Sequence, residues 1–170
     1  AEVIKVEEPG LGDYIRWVPP LMNDQSVCHL MLNRNKKSMK LNLKSEKGKE
    51  VFFKLVERSD VIIECFRPGV VKRLGIDYES VSKVNQRIVY CSMSGYGQDG
   101  PYRDMPGHDV NYIGYGGVLG ITGPSGGAPV IPGVQIADLT TGLMTAMAIL
   151  AGLLAREKIG RGQYIDVSFL

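Results

Sequence analysis

The apolar positions change period several times along the chain. Val3 to Val6 alternates apolar and polar side chains, the period of a half-buried strand. Pro9 to Asp24 is rich in Gly, Pro and Asp and reads as a loop. Asn33 to Ser38 is polar and leads into Met39 to Lys44, a second alternating segment and a short strand. Ser45 then has the chemistry of a helix cap, and Val51, Phe52, Leu55 and Val56 follow at helical spacing. Asp60 to Glu64 holds a short apolar run suited to a buried parallel strand. Val70 to Leu74 is a short helix stopped by Gly75, Tyr78 to Val84 another helix, and Arg87 to Ser92 the next strand.

From Ser94 to Val134 the periodicity fades and Gly and Pro crowd the chain; only Asp109 to Tyr115 reads as helical. An irregular segment of this length inside a domain is usually functional. Asp138 then opens a long apolar helix that runs to about Lys158 and ends at Gly160, behind Arg156 and Lys158. Gln163 to Phe169 forms a last strand. Strands alternating with helices predict an α/β fold with a parallel sheet flanked by helices.

Composition narrows this little further. The 170 residues are 44% hydrophobic and 22% charged, as in an ordinary globular domain. A net charge of +2 gives no case for nucleic acid. Cys28, Cys65 and Cys91 are dispersed, which argues against disulfides and structural zinc and predicts reduced thiols in a cytoplasmic protein. With only His29 and His108, a His-rich metal centre is not expected. The apolar run within Leu139 to Ala155 is shorter than a membrane span and reads as a buried helix. Both ends fall in strand-like sequence, so the chain reads as a piece of a longer domain, incomplete at each end.

Two glycine motifs fail on context. Gly95 to Gly100 matches G-x-G-x-x-G after a strand, yet a proline-bearing polar loop follows where a dinucleotide site needs a helix. Gly123 to Gly127 matches G-x-S-x-G, with no histidine after residue 108 to complete a triad. The basic run Arg34, Lys36, Lys37, Lys40 and Lys44 is either a solvated face or a phosphate site. Arg67 and Arg73, at and beyond the end of a buried strand, strengthen the phosphate reading. His108 lies in the irregular segment and suits proton transfer near neutral pH, or is a satisfied structural histidine. Asp138 is either a helix N-cap or a partly desolvated carboxylate whose burial and helix N-terminus pull its pKa in opposite directions.

Several stretches, taken together and in order, resemble the family III CoA-transferases, which include α-methylacyl-CoA racemase. They include Ala1 to Glu7, Asn33 to Lys36, Asp60 to Val70, Leu74 to Tyr78, Ser94 to Tyr102, Gly107 to Tyr112, Ala137 to Leu139 and Gly160 to Gln163. The resemblance implies a Rossmann-like parallel sheet, with residues 1–170 part of a large CoA-binding domain and a smaller domain beyond Leu170. It implies an interlocked homodimer and an acyl-CoA substrate, with coenzyme A arriving as part of that substrate and no covalently bound cofactor, metal, nucleic acid or membrane. It assigns Asp138 and His108 to catalysis, and Leu41, Asn42, Leu43, Lys44, Cys65, Phe66, Arg67, Arg73, Gly107, Asp109 and Tyr112 to CoA contact. Glu8 departs from the family, which often carries a basic residue there.

The resemblance covers two reactions. In a racemase, Asp138 and His108 flank the α-carbon of a 2-methylacyl-CoA; one removes a proton and the other returns one to the opposite face. In a CoA-transferase, Asp138 attacks the thioester and an aspartyl-CoA thioester follows. The presence of His108 favours the racemase, with the transferase as the alternative. A CoA-binding fragment without catalysis is the third reading.

Overall fold

The computed structural model describes all residues from Ala1 to Leu170, which divide into two compact units, Ala1–Lys54 and Leu55–Leu170. In the first unit, β1 (Val3–Glu7) pairs in parallel with β4 (Lys36–Lys40), Val3 opposite Lys36 and Glu7 opposite Lys40. Between them lie a 3-10 turn (Tyr14–Trp17), a two-residue hairpin of β2 (Leu21–Met22) and β3 (Gln25–Ser26), and α1 (Val27–Leu32). Glu7 organises this unit from a buried position. Its carboxylate accepts from Arg16 Nε and Nη2 (2.8 and 2.7 Å), Ser38 Oγ (3.0 Å) and the Asp13 N–H (3.0 Å). The Arg16 fork, more than any other partner, holds that carboxyl well below the usual range.

The second strand of this pair departs from the sequence expectation. It runs Lys36–Lys40, not Met39 to Lys44, and Leu41 to Lys44 form the turn that follows. Parallel pairing with β1 sets the register, and polar Lys36 and Lys37 enter the strand because it is exposed on both faces. Ser45 does cap α2 (Glu46–Val56), accepting from the Gly48 N–H at 3.1 Å. The turn folds back on that helix so tightly that a Cβ on Gly48 would lie 1.9 Å from the Asn42 carbonyl oxygen. The helix α1 was not anticipated. Its signal is Ser26, whose Oγ caps it through the His29 N–H at 3.3 Å.

The second unit is built on a parallel sheet of β5 (Val61–Glu64), β6 (Val89–Ser94) and β7 (Tyr164–Ser168), with β6 in the centre. Parallel strands thus occur in two separate sheets. Val89, Tyr90, Cys91 and Ser92 are almost wholly buried, as befits a strand covered on both faces. Burial pushes the Cys91 thiol up to about 11, so it is an inert packing group. Between β5 and β6 come α3 (Val70–Leu74) and α4 (Tyr78–Val84), and between β6 and β7 come α5 (Asp109–Tyr115), a 3-10 turn (Leu119–Ile121) and α6 (Ile136–Ile159). No helix opens after Gly95 to Gly100, and Gly123 to Gly127 lie in bends and a turn.

Helix α6 buries Ala137, Thr141, Thr145, Ile149 and Gly152, a face of mostly small side chains. A Cβ on Gly152 would meet Val89 Cγ1 and Ile165 Cδ1 at 3.2 Å, so helix and sheet approach closely there. At 24 residues α6 reaches the length and apolarity of a membrane span, longer than the uncharged run alone suggested. Leu139, Leu143, Met147, Leu150 and Leu154 remain exposed along it. Gly160, at φ 75°, ends the helix, and the chain turns directly into β7. The helix therefore runs back along the sheet, and its N-terminal turn lies at the carboxyl ends of the strands.

Candidate functional site

In open α/β sheets, ligands bind beyond the carboxyl ends of the strands. Here that edge is formed by Glu64 to Arg67 after β5, Ser94 to Tyr96 after β6, and Phe169 and Leu170 after β7. The β6–β7 pairing extends past both strands, through Phe169 N–H to Ser94 O (3.0 Å) and Leu170 N–H to Gly95 O (3.2 Å). Tyr112 of α5 packs on this extension. Its ring stacks on Phe169 with centroids 5.3 Å apart and meets Tyr96 edge-on, also at 5.3 Å. Tyr112, Ile113 and Ala137 form a small core with Tyr96, Leu119, Ile136 and Phe169 packed around it.

Gly107, a sequence-predicted contact residue, lies directly beneath the Tyr112 ring. A Cβ there would come within 2.6 Å of Tyr112 Cε1, and one on Gly95 would come within 2.8 Å of the phenolic oxygen. Both glycines are needed so that the aromatic ring can lie on the backbone.

The two candidate catalytic residues start neighbouring helices. His108 is the N-cap of α5; its side chain is exposed, and its backbone N–H donates to Asn111 Oδ1 at 2.9 Å. Asp138 is the third residue of α6, which begins at Ile136 behind Gln135. The N-cap reading of Asp138 is therefore corrected. A long-range bond replaces local capping: the buried Asp109 carboxylate accepts from the Asp138 N–H at 3.1 Å and ties the start of α6 to the start of α5. The Asp138 carboxyl is half-buried and raised above the ordinary carboxylate range. Burial is the chief cause and the Asp109 charge adds to it, while His108 acts the other way. Asp138, His108 and Asp109 thus share one electrostatic neighbourhood. A half-exposed carboxylate that desolvation makes more basic can serve as a nucleophile or a base.

Cys65, Phe66 and Arg67 form the exposed turn leaving β5, and Arg73 lies on α3. Sequence reasoning passed over Arg103. A Cβ on Gly69 would lie 3.5 Å from Arg73 Nη1 and 3.6 Å from Arg103 Nη2, so two guanidinium groups flank one glycine. Nothing in the loop sequence marked Arg103, because its partner stands thirty positions away. Leu41 to Lys44 belong to the first unit, in the turn before α2. The basic run is partly engaged there: Lys37 pairs with Glu2, and Lys36 Nζ donates to Asn33 Oδ1 at 3.2 Å.

Against this geometry the similarities to known proteins are informative. Residues 1–170 match the profile of CoA-transferase family III. The chain is 45% identical over 171 residues to the succinyl-CoA:glutarate CoA-transferase of Mus musculus, covering 100% of this chain and 39% of that protein. It is 41% identical over 169 residues to the acetyl-CoA:oxalate CoA-transferase of Acetobacter aceti, covering 99% of this chain and 43% of that one. A crystal structure of a CAIB/BAIF family protein from Brucella suis superposes with a TM-score of 0.91 at 38% identity, covering 99% of this chain and 46% of that one. The chain spans less than half the length of these relatives.

Proposed function

The chain belongs to CoA-transferase family III, and from that premise we propose that the protein it represents moves coenzyme A from an acyl-CoA to a carboxylate, with Asp138 as the nucleophile. The observation that carries this reading is the Asp138 carboxylate itself, half-buried in the first turn of α6 and raised by desolvation. An Asp138 oxygen attacks the thioester carbonyl, forming a mixed anhydride and releasing CoA thiolate. The thiolate attacks the aspartyl carbonyl, giving an aspartyl-CoA thioester and freeing the donor acid as its carboxylate. The acceptor carboxylate then attacks that thioester, and return of the thiolate to the new acyl group regenerates Asp138. Desolvation makes the carboxylate more nucleophilic than one in water.

The relatives named above transfer CoA in reactions with glutarate and oxalate, which supports a dicarboxylate as acceptor. Their names favour transfer over the racemisation that His108 suggested in the sequence. In transfer no proton leaves the α-carbon, and His108 has no proton to carry. Arg67, Arg73 and Arg103 are suited to the phosphates of CoA through their forked donors.

The test uses full-length protein. With an acyl-CoA donor, a dicarboxylate acceptor should receive CoA, and hydroxylamine should trap an adduct on Asp138. Asp138→Asn should abolish both. Incubation of a 2-methylacyl-CoA in deuterated water without acceptor should leave the α-carbon unlabelled. Deuterium there, with no movement of CoA, would refute transfer and restore the racemase reading.

A further inference from the structure

Glu64 ends β5 and has no part in the chemistry above. It is only 8% exposed. Its carboxylate accepts from the Phe66 N–H at 2.8 Å, closing the turn through Cys65, and Ser92 of β6 stands opposite it in the sheet.

The ionisable groups facing Glu64 are Tyr90 and Cys91 on β6 and Tyr164 and Asp166 on β7. None is a cation. Burial, then, lifts the Glu64 carboxyl above its ordinary range, and Asp166 adds to the effect. An apolar side chain would occupy this strand end at less cost to the fold. What Glu64 supplies instead is a strong acceptor for one backbone N–H, two residues along, in a turn that leaves Phe66 44% exposed beside Arg67.

We infer that Glu64 is a positioning residue for coenzyme A, whose carboxylate holds the Cys65–Arg67 turn in the shape that presents Phe66 and Arg67 to the ligand. The inference rests on the reading of this sheet edge as a CoA site. It acts on binding and leaves the transfer steps at Asp138 untouched. As pH falls through the titration of Glu64, the charge-assisted bond to Phe66 becomes a weaker neutral one and the turn loosens.

Full-length protein is measured from pH 5 to 8, following KM for the acyl-CoA, kcat, the affinity for free CoA by calorimetry, and circular dichroism as a check on the fold. Glu64→Leu should raise KM about tenfold, equivalent to about 1.4 kcal/mol, with kcat within twofold. Its Cys65–Val70 segment should exchange amide hydrogen faster at pH 7. Glu64→Gln keeps a neutral acceptor. It should bind CoA as the parent does on its acid limb, without the parent's change across the range that Glu64 controls. A Gln variant with the parent's pH profile overturns the inference. So does one that binds CoA more tightly, since the carboxylate would then act only by repelling the phosphates. A folded Leu variant in which kcat falls as far as affinity overturns it too. If the parent itself takes up no CoA at pH 7, the CoA reading of this edge fails first, and the two failures are told apart.

Discussion

Replacing Gly107 by alanine probes how the site is built. The new Cβ would stand 2.6 Å from Tyr112 Cε1, 2.9 Å from Cζ and 3.0 Å from the phenolic oxygen. Carbon atoms pack at about 3.5–4.0 Å, so ring and backbone must separate by about 1 Å. The ring has little room to retreat. It is buried, stacked on Phe169 and in edge contact with Tyr96, each at 5.3 Å between centroids. Overpacking of this kind costs about 1–3 kcal/mol. In a domain of this size each kcal/mol lowers the melting temperature by about 2–4 °C. The strain also reaches function, because His108 is the next residue and Tyr112 shares a helix with Asp109, which holds the Asp138 backbone. Gly107→Ala should therefore lower both the melting temperature, read by circular dichroism, and kcat/KM for CoA transfer by about tenfold or more. Gly120→Ala is the control, since a Cβ there meets nothing within 4 Å. A Gly107→Ala protein that melts and turns over like the Gly120→Ala control would refute the argument that the glycine exists to seat the ring.

Three further outcomes follow from the same geometry. Asp109→Asn keeps an acceptor for the Asp138 N–H but removes a charge that raises the Asp138 carboxyl, so the acid limb of the kcat/KM profile should move to lower pH; an unmoved limb would break the coupling. Asp138→Asn should melt at a higher temperature than the parent at pH 7. The folded-state pKa of Asp138 lies above its unfolded value, so the ionised group costs stability at pH above both, and the advantage should shrink as pH falls and the parent carboxyl takes up a proton. Gly162→Ala should fail to give soluble, cooperatively folding protein, because its Cβ would lie 1.8 Å from the Ile88 carbonyl oxygen, a backbone atom immediately before the central strand; a cost above about 4 kcal/mol is expected.

Local chemistry made much of this chain legible from its residues alone. The helices Val70–Leu74, Tyr78–Val84 and Asp109–Tyr115 lie where period and stop signals put them, and Ser45, Gly75 and Gly160 end or begin helices as capping residues. Each depends on side chains within a turn or two of one another. The family could be read from motifs spread along the chain. Other features belong to the tertiary structure, because the partners are remote in sequence. β4 takes its limits from pairing with β1, not from its own alternation. Asp138 is released from capping because Asp109, 29 residues earlier, accepts its N–H. Gly107 is a glycine because of a ring five positions on that is held by Phe169. Glu64 reads as the polar end of a strand until β6 and β7 bury it without a cation. Periodicity reports which face of an element is buried, whereas the charge, acceptor or ring that meets that face is set only when distant segments pack.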